Sequence, residues 1–465
     1  MDCDPFREIR VPFKVIKGGV TAPRGFRAAA ISCGIKNPEA ARLDLALIVS
    51  DTPAVTDAVY TTNKVRAACV RVSQIHIRES DTRAIIANSG NANACTGPQG
   101  IQDAKAMCKA AAEALGLRMR QVQVCSTGII GMNMPIQRVT PRVAELAAKL
   151  SPAGSDDAAA AIMTSDTRPK SYAIEVPCPG GGSFRIGGIA KGAGMICPDM
   201  ATMLCFITTD AKISKDEIKR AIRCAVDQSF NCITIDGDTS TNDTVIVMSN
   251  GQASAPAMRK GSDEAKIFRC ALHKVMLELA KMIVADGERV TKFVEIRVRN
   301  ARTHADAKKV AEAVAKSMLV KCSFHGSDPN WGRIIHAVGY SGARIREEMV
   351  DIYFGGLLAC KGGLTSGTPV AELEKVVKEP RFSVTIDLNL GSANHIVYTS
   401  DLSEAYVDFN SSEYSAAVHA RRQPGLGPPL APGVMGNALL PFGGKGGDRR
   451  VRGVAVGRGP ARPVG

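Results

Sequence analysis

The sequence predicts a mixed α/β protein built in layers. Three observations carry this. Several segments place apolar residues at helical spacing, and short apolar runs that end in turn residues alternate with them. The helices come in pairs and the strands in clusters, which favours sandwiched or α+β layers over a simple doubly wound sheet. The 465 residues suffice for two or three domains around a large core.

The elements follow in chain order. DLALIVSD (44–51) and RAIIANSG (83–90) read as strands. IQDAKAMCKAAAEALGL (101–117) reads as a helix ending near Gly116. LSPAGSDDAAAA (150–161) reads as a linker or loop, and PCPGGGSFRIGGIAKG (177–192) as a hairpin. Gly192, Gly194 and Pro198 then break regular structure before a solid apolar run, Met203 to Ile207. ISKDEIKRAIRCAVDQSF (213–230) opens with Ser214 and Glu217 at capping-box spacing. TVIVMSNG (244–251) is a strand, and SDEAKIFRCALHKVMLELAKMIVADG (262–287) a long amphipathic helix stopped by Gly287. A weaker boundary falls near 285–305, around the strand VEIRVRN (294–300). HADAKKVAEAVAKSMLVKCSF (304–324) reads as a fourth helix. Beyond residue 415 the text is rich in Gly and Pro without apolar periodicity, so 416–465 reads as a disordered tail.

Composition narrows the function. The formal charge is +14, but residues 416–465 hold eight Lys and Arg against one Asp, so half of it sits in that tail. The body is mildly basic and the tail lacks interleaved aromatics, which argues against nucleic acid. No apolar run reaches the roughly 18 residues of a membrane helix. The start, MDCDPFREIRVPF, lacks the apolar stretch of a secretion signal, so the expectation is cytoplasmic. The 14 Cys stand singly, with no C-x-x-C, and read as buried thiols in a reducing compartment. DGDTSTNDT (236–244) alternates carboxylates like a calcium loop, but Thr241 and Val247 stand where Gly and Glu are required. No metal is expected.

Few stretches are suited to chemistry. There is no G-x-S-x-G, and Cys197 is a lone loop cysteine of a kind that is usually inert. NSGNANACTG (88–97) can present N–H groups to an anion or simply pack a tight turn. In STGIIGMNMP (126–135), Thr127 and Gly128 can supply oxyanion donors. SFHGSDPNWGR (323–333), with the only Trp, reads as a structural turn. Thr202 stands where a loop that looks mobile meets a buried strand. Cutting the chain just before a Thr makes its own α-amino group the base, and that group titrates at roughly 7.7–8.0. A structural hydroxyl at a loop-to-strand join is the plainer alternative.

KGAGMICPDMATML (191–204) resembles the self-cleaving segment of the ornithine acetyltransferase family, the bifunctional glutamate N-acetyltransferases of arginine biosynthesis. Nine further blocks resemble the family in its order: GIKNPEAARLDLALIVSD (34–51), TTNKVRAA (61–68), NSGNANACTG (88–97), STGIIG (126–131), MTSDTRPK (163–170), SFNCITIDGDTSTNDT (229–244), DGERVTK (286–292), DPNWGR (328–333) and DLSEAYVDFNSSEYS (401–415).

The resemblance implies an α/β self-cleaving fold of N-terminal-nucleophile type, cut between Ala201 and Thr202. Residues 1–201 become an α chain, 202–415 a β chain, and the two pair as an α2β2 heterotetramer. Thr202 is the implied nucleophile. Thr127 and Gly128 match the oxyanion pair, and Thr167, Lys191, Glu288, Asn410 and Ser415 match substrate-binding positions. The implied reaction moves acetyl from N-acetylornithine through Thr202 to glutamate, with acetyl-CoA as a second donor in bifunctional members and no bound cofactor. Arg289, Val290 and Cys197-Pro198-Asp199 depart from the usual family text. An amidohydrolase or aminopeptidase sharing the self-cleavage logic is the enzyme alternative, and an uncut binding protein the non-enzyme one.

Overall fold

The computed structural model describes residues 11–79, 81–197 and 203–411. Ala201, Thr202, Ser415 and the 416–465 extension lie outside the described residues.

The first part of the chain runs β1 (Lys14–Ile16), β2 (Phe26–Ile31), β3 (Leu45–Tyr60), α1 (Ala68–Glu79), β4 (Thr82–Asn88), α2 (Gly97–Leu115), β5 (Val122–Ser126), α3 (Ile136–Val139), α4 (Val143–Ala148), α5 (Ser155–Ala161), β6 (Lys170–Pro177), β7 (Ser183–Lys191), β8 (Leu204–Thr209), α6 (Lys215–Asp227), β9 (Thr244–Ser249) and α7 (Asp263–Val284). The second part runs β10 (Phe293–Ala301), α8 (His304–Lys316), α9 (Met318–His325), α10 (Trp331–Tyr340), β11 (Asp351–Phe354), β12 (Leu357–Lys361), β13 (Leu364–Thr365), α11 (Val370–Lys378), β14 (Arg381–Asp387), β15 (Ala393–Ser400) and α12 (Glu404–Asn410).

Strand β3 joins two layers. Its first half pairs with β2 and β4; its second half, Val55 to Tyr60, pairs with β9. One layer is therefore β1-β6-β7-β8-β9-β3, and the other is β2-β3-β4-β5. Alternation along each strand fills the space between and outside them. Leu204, Phe206, Ile246 and Met248 face inward with Ile48 and Ile85. Their neighbours Cys205, Ile207, Val245 and Val247 face outward, into the cluster that holds Ile218 and Ile222 of α6 and Leu272 and Leu279 of α7. On the other side Leu45, Leu47 and Ile86 pack with Met107 and Ala111 of α2. The result is the expected layered sandwich: helix, sheet, sheet, helix. Each fully buried Phe, Leu or Ile contributes about 1.5–3 kcal/mol to it.

The second part builds a separate sheet, β13-β12-β11-β14-β10-β15, with its own core of Val294, Ile296, Ile352 and Val384. Its first strand starts at Phe293, inside the boundary expected near 285–305. The 201/202 junction is a different matter. Strand β7 precedes it and β8 follows it, yet the two pair along Ile186–Lys191 and Leu204–Thr209. An α/β chain boundary there runs through the middle of one sheet and is not a domain boundary.

Three local expectations are corrected. The stretch read as a linker holds helix α5, whose Ala158, Ala159 and Ala161 are buried, with Ile162 just after it, among the inward faces of the sheets. The single helix expected over 304–324 is two. Ser317 takes an extended ψ of 114° and its hydroxyl accepts the Val320 N–H, so the first helix stops and a second starts. The capping box at 214–217 is half made. Ser214 accepts the Glu217 N–H, while the Glu217 carboxylate turns to Arg220 and Arg269.

The second sheet carries a pH liability. His395 lies 3.3 Å from His304 through ring nitrogens, and burial, with His304 and Lys308 nearby, pulls its pKa down to about 3. The unfolded chain takes this proton first, so the contribution is full above about 6.5 and is lost as pH falls toward 3. We expect unfolding free energy to fall by up to about 1.4 kcal/mol per pH unit in that window from this group. Urea midpoints at pH 7.5 and 5 should differ less in His395→Gln than in the wild type; equal differences would contradict it.

Candidate active site

The site forms where strand ends from both sheets meet. Lys191 closes β7 opposite Leu204, the first residue of β8. Thr244 opens β9 and pairs with both Leu204 and Tyr60. Asn88 and Ser126 end the parallel strands β4 and β5 side by side. Lys191 Nζ spans the two sheets and donates to Thr127 Oγ1 at 3.2 Å. A cavity of about 330 Å³ opens at this point, lined by Thr127, Gly128, Lys191, Glu288 and Asn410 among others. Five of the positions the resemblance implies therefore share one cavity. Thr202 and Ser415 lie outside the described residues, though chain connectivity puts residue 202 directly before Met203, at the start of β8.

Thr127 and Gly128 have the geometry of hydrogen-bond donors. The Thr127 hydroxyl oxygen accepts from Lys191, so its own O–H is left to donate elsewhere. Gly128 has φ +131°, and a Cβ there would run into the backbone of Gly90 and Asn91. The 88–97 loop is the brace for this turn. Ala92 N–H donates to Ile129 at 3.0 Å, and Asn91 Nδ2 donates to the Met132 carbonyl at 3.0 Å. Asn242 Nδ2 ties in a third loop by donating to Ala92 and Ser126 carbonyls at 2.6 and 2.8 Å. Of the two readings of NSGNANACTG, tight-turn packing is the one seen.

Glu288 sits opposite Lys191 in charge. Its carboxylate accepts from Ser165 Oγ at 2.5 Å and from Asn410 Nδ2 at 3.0 Å. Gly194 lies so close to that carboxylate that any side chain would displace it. Arg289 and Val290 are absent from the cavity lining. The Arg289 guanidinium lies 4.9 Å from the Phe409 ring centre, and its carbonyl accepts from Ser403 Oγ, so it pins the helix that carries Asn410.

Thr167 is the exception among the described candidates. Its hydroxyl and N–H both go to Asp286, and it is not among the residues lining the cavity. It belongs to a buried charge network that the sequence did not reveal. Lys170, only 1% exposed, donates to Asp166 and Asp286 at 2.6 Å each. Burial opposes ionisation of Asp166, but the Lys191 and Lys170 ammoniums and the Gly192 N–H outweigh it and hold the carboxyl well below its usual range. Burial lowers the Lys191 pKa in turn, with Asp166 pulling it back up. Short polar strings such as MTSDTRPK look like solvated loops, and spacing alone cannot say which of their charges are buried.

The lead into the junction is also more fixed than expected. Gly192 N–H donates to Asp166 at 2.7 Å, and Met195 and Ile196 N–H donate to Asp236 at 2.6 and 2.8 Å. Cys197 is buried, and desolvation pushes its thiol up, which suits an inert residue. Residues 198–202 lie outside the described part. A larger cleft of about 870 Å³ is lined in part by Lys170, Glu295 and Arg297, whose charges are already paired as Lys170–Asp286 and Glu295–Arg297.

Lys191→Met should lower kcat/KM by about 10- to 100-fold, the worth of a hydrogen bond to a charged group. It removes the only cation lining the cavity among the described residues and frees the Thr127 hydroxyl. Steady-state kinetics check this, and unchanged constants would remove Lys191 from the site.

Comparison with known proteins identifies the family. The ArgJ family model matches residues 27–416. The arginine biosynthesis bifunctional protein ArgJ of Geobacter sulfurreducens is 49% identical over 389 residues, covering 83% of this chain and 98% of that protein. The glutamate N-acetyltransferase of Methanocaldococcus jannaschii is 42% identical over 414 residues, covering 86% and 100%. A crystal structure of ArgJ from Bacillus halodurans matches at 35% identity and a TM-score of 0.43, over 44% of this chain and 96% of that one. With the family model spanning most of its length and close relatives covered nearly end to end, the chain belongs to the ArgJ family.

Proposed function

We propose that this chain is a glutamate N-acetyltransferase that cuts itself between Ala201 and Thr202 and then uses Thr202 as an N-terminal nucleophile. The observation that carries the reading is the meeting of Thr127, Gly128, Lys191, Glu288 and Asn410 around one small cavity at the start of β8. The names of the family relatives support the activity.

The chemistry follows from these groups. Thr202 Oγ attacks the acetyl carbon of N-acetylornithine, and the α-amine of Thr202 takes the Oγ proton. The alkoxide that develops receives hydrogen bonds from the Thr127 hydroxyl and the Gly128 N–H. Ornithine leaves with the proton, and glutamate attacks the acetyl-enzyme. Lys191 offers a cation for a substrate carboxylate, and Glu288 an anion for an amine. Asn410 and Ser415 complete the binding set in this reading, and Thr167 acts behind it through Asp286. Acetyl-CoA serves as a second donor, in keeping with the word bifunctional in the relatives' names. The α and β chains stay together, since β7 and β8 share one sheet, and two such pairs form the α2β2 assembly that the family resemblance implies. Buried thiols such as Cys108, Cys125 and Cys205 fit a cytoplasmic setting.

The test is a coupled product assay with N-acetylornithine and glutamate. Equal amounts of ornithine and N-acetylglutamate, with parallel double-reciprocal lines, are expected. Ornithine with free acetate instead would identify an amidohydrolase.

A further inference from the structure

A second cavity lies beside the first, and none of the roles above uses it. It holds about 360 Å³ and is lined by Val65, Arg66, Arg71, Cys95, Pro98 and Ile101 among others. The two cavities share a wall. Ala92 lines the first and Cys95 the second, and three residues of chain span at most about 11 Å. Within that wall Ala67 N–H donates to the Thr241 carbonyl and Ala68 N–H to the Asn93 carbonyl, each at 3.0 Å. Thr241 lines the first cavity and Ala68 the second. Asn63 Nδ2 donates to the Thr239 carbonyl at 3.0 Å. That bond lays the exposed turn of Lys64, Val65 and Arg66 against the 238–241 loop, which lines the first cavity.

The charge of the two linings differs in sign. The first holds Asp236, Asp238 and Glu288 against Lys191. The second holds Arg66 and Arg71 and no carboxylate. Among the described residues neither arginine has a carboxylate within ion-pair distance. Arg66 Nε donates to the Asn63 carbonyl of its own turn at 3.3 Å, which leaves both terminal nitrogens of its guanidinium to donate elsewhere. Guanidinium groups are the side chains best matched to phosphate, which they hold through paired N–H donors. Val65, Pro98 and Ile101 add an apolar face to the same cavity.

Acetyl-CoA must put its acetyl group at Thr127 and Gly128, and its phosphates must lie elsewhere, since the carboxylates of the first cavity repel them. We propose that the second cavity takes the phosphorylated adenosine end of acetyl-CoA, with Arg66 and Arg71 on its phosphates and the apolar face against its adenine. The pantetheine arm then follows the exposed turn into the first cavity. N-acetylornithine has no such end and does not use the second cavity. The proposal rests on the reading of acetyl-CoA as a second donor.

Two measurements test this. Cys95 is an exposed thiol in the lining; Cys322, on α9, is exposed and outside it. In the wild type, alkylation by iodoacetamide is followed by mass spectrometry of both peptides. Acetyl-CoA, and adenosine 3′,5′-bisphosphate alone, should slow labelling of Cys95 severalfold and leave Cys322 unchanged. No protection, or equal protection of both thiols, overturns the proposal. The second measurement is kinetic. Arg66→Ala combined with Arg71→Ala should raise the KM for acetyl-CoA by about tenfold or more, the worth of a hydrogen bond to a charged group. Transfer from N-acetylornithine, whose cavity neither arginine lines, should stay at the wild-type rate and so reports folded protein. An unchanged KM for acetyl-CoA, or an equal loss with both donors, overturns the proposal. If the variant does not fold, the wild-type labelling decides. A wild type that makes no N-acetylglutamate from acetyl-CoA overturns the donor reading, and this site with it. Turnover of acetyl-CoA with Cys95 unprotected overturns the site alone.

Discussion

Thr202→Ala is expected to give one uncut chain with no acetyl transfer. The side-chain oxygen is needed twice in this account: to take the acyl group of Ala201 from its amide nitrogen, and later to carry acetyl. Loss of a nucleophile in enzymes of comparable logic costs on the order of 10⁶ in kcat. The fold should survive, because β8 is held by its neighbours. Leu204–Thr209 is paired on both sides and every residue in it is buried. An unchanged melting curve with full loss of activity separates chemistry from folding. Cleavage that persists in the Ala variant, seen as two bands on a denaturing gel, would sink the mechanism.

Gly128→Ala carries the second-largest expected effect. At φ +131° an L side chain is strained, and here its Cβ would strike the Gly90–Asn91 backbone. Such strain costs about 1–3 kcal/mol. The turn must shift, and with it both the Gly128 N–H and the Thr127 hydroxyl that Lys191 steers. Losing one well-placed oxyanion donor costs about 10²–10³ in kcat. We therefore expect kcat to drop by at least that factor, a melting temperature only a few degrees lower, and slowed maturation. A variant with near-normal kcat would show that this turn does not stabilise the transition state.

The fold was legible where periodicity is strong and local. Strands 244–249 and 293–301 and helix 263–284 fall within a few residues of expectation, because alternation or helical spacing fixes them. The rest depends on contacts that no window of sequence contains. Strand β3 continues to Tyr60, past the expected Asp51, because a second sheet takes over its pairing from Val55. The hydroxyl of Ser317 splits one apolar helical pattern into two helices. At the site, the resemblance brought Thr127, Gly128, Lys191, Glu288 and Asn410, and these converge. It could not tell that Thr167 faces Asp286, nor that Asp166 and Lys170 are buried charges behind the wall. Burial of a charge is decided by which strand ends meet, and those ends lie far apart in sequence.

The most direct test of the central claim is the intact mass of the purified protein under denaturing conditions, with N-terminal sequencing of each species. The account predicts two chains, the second beginning Thr202-Met203-Leu204. A single full-length mass, in protein that is folded and soluble, would contradict it.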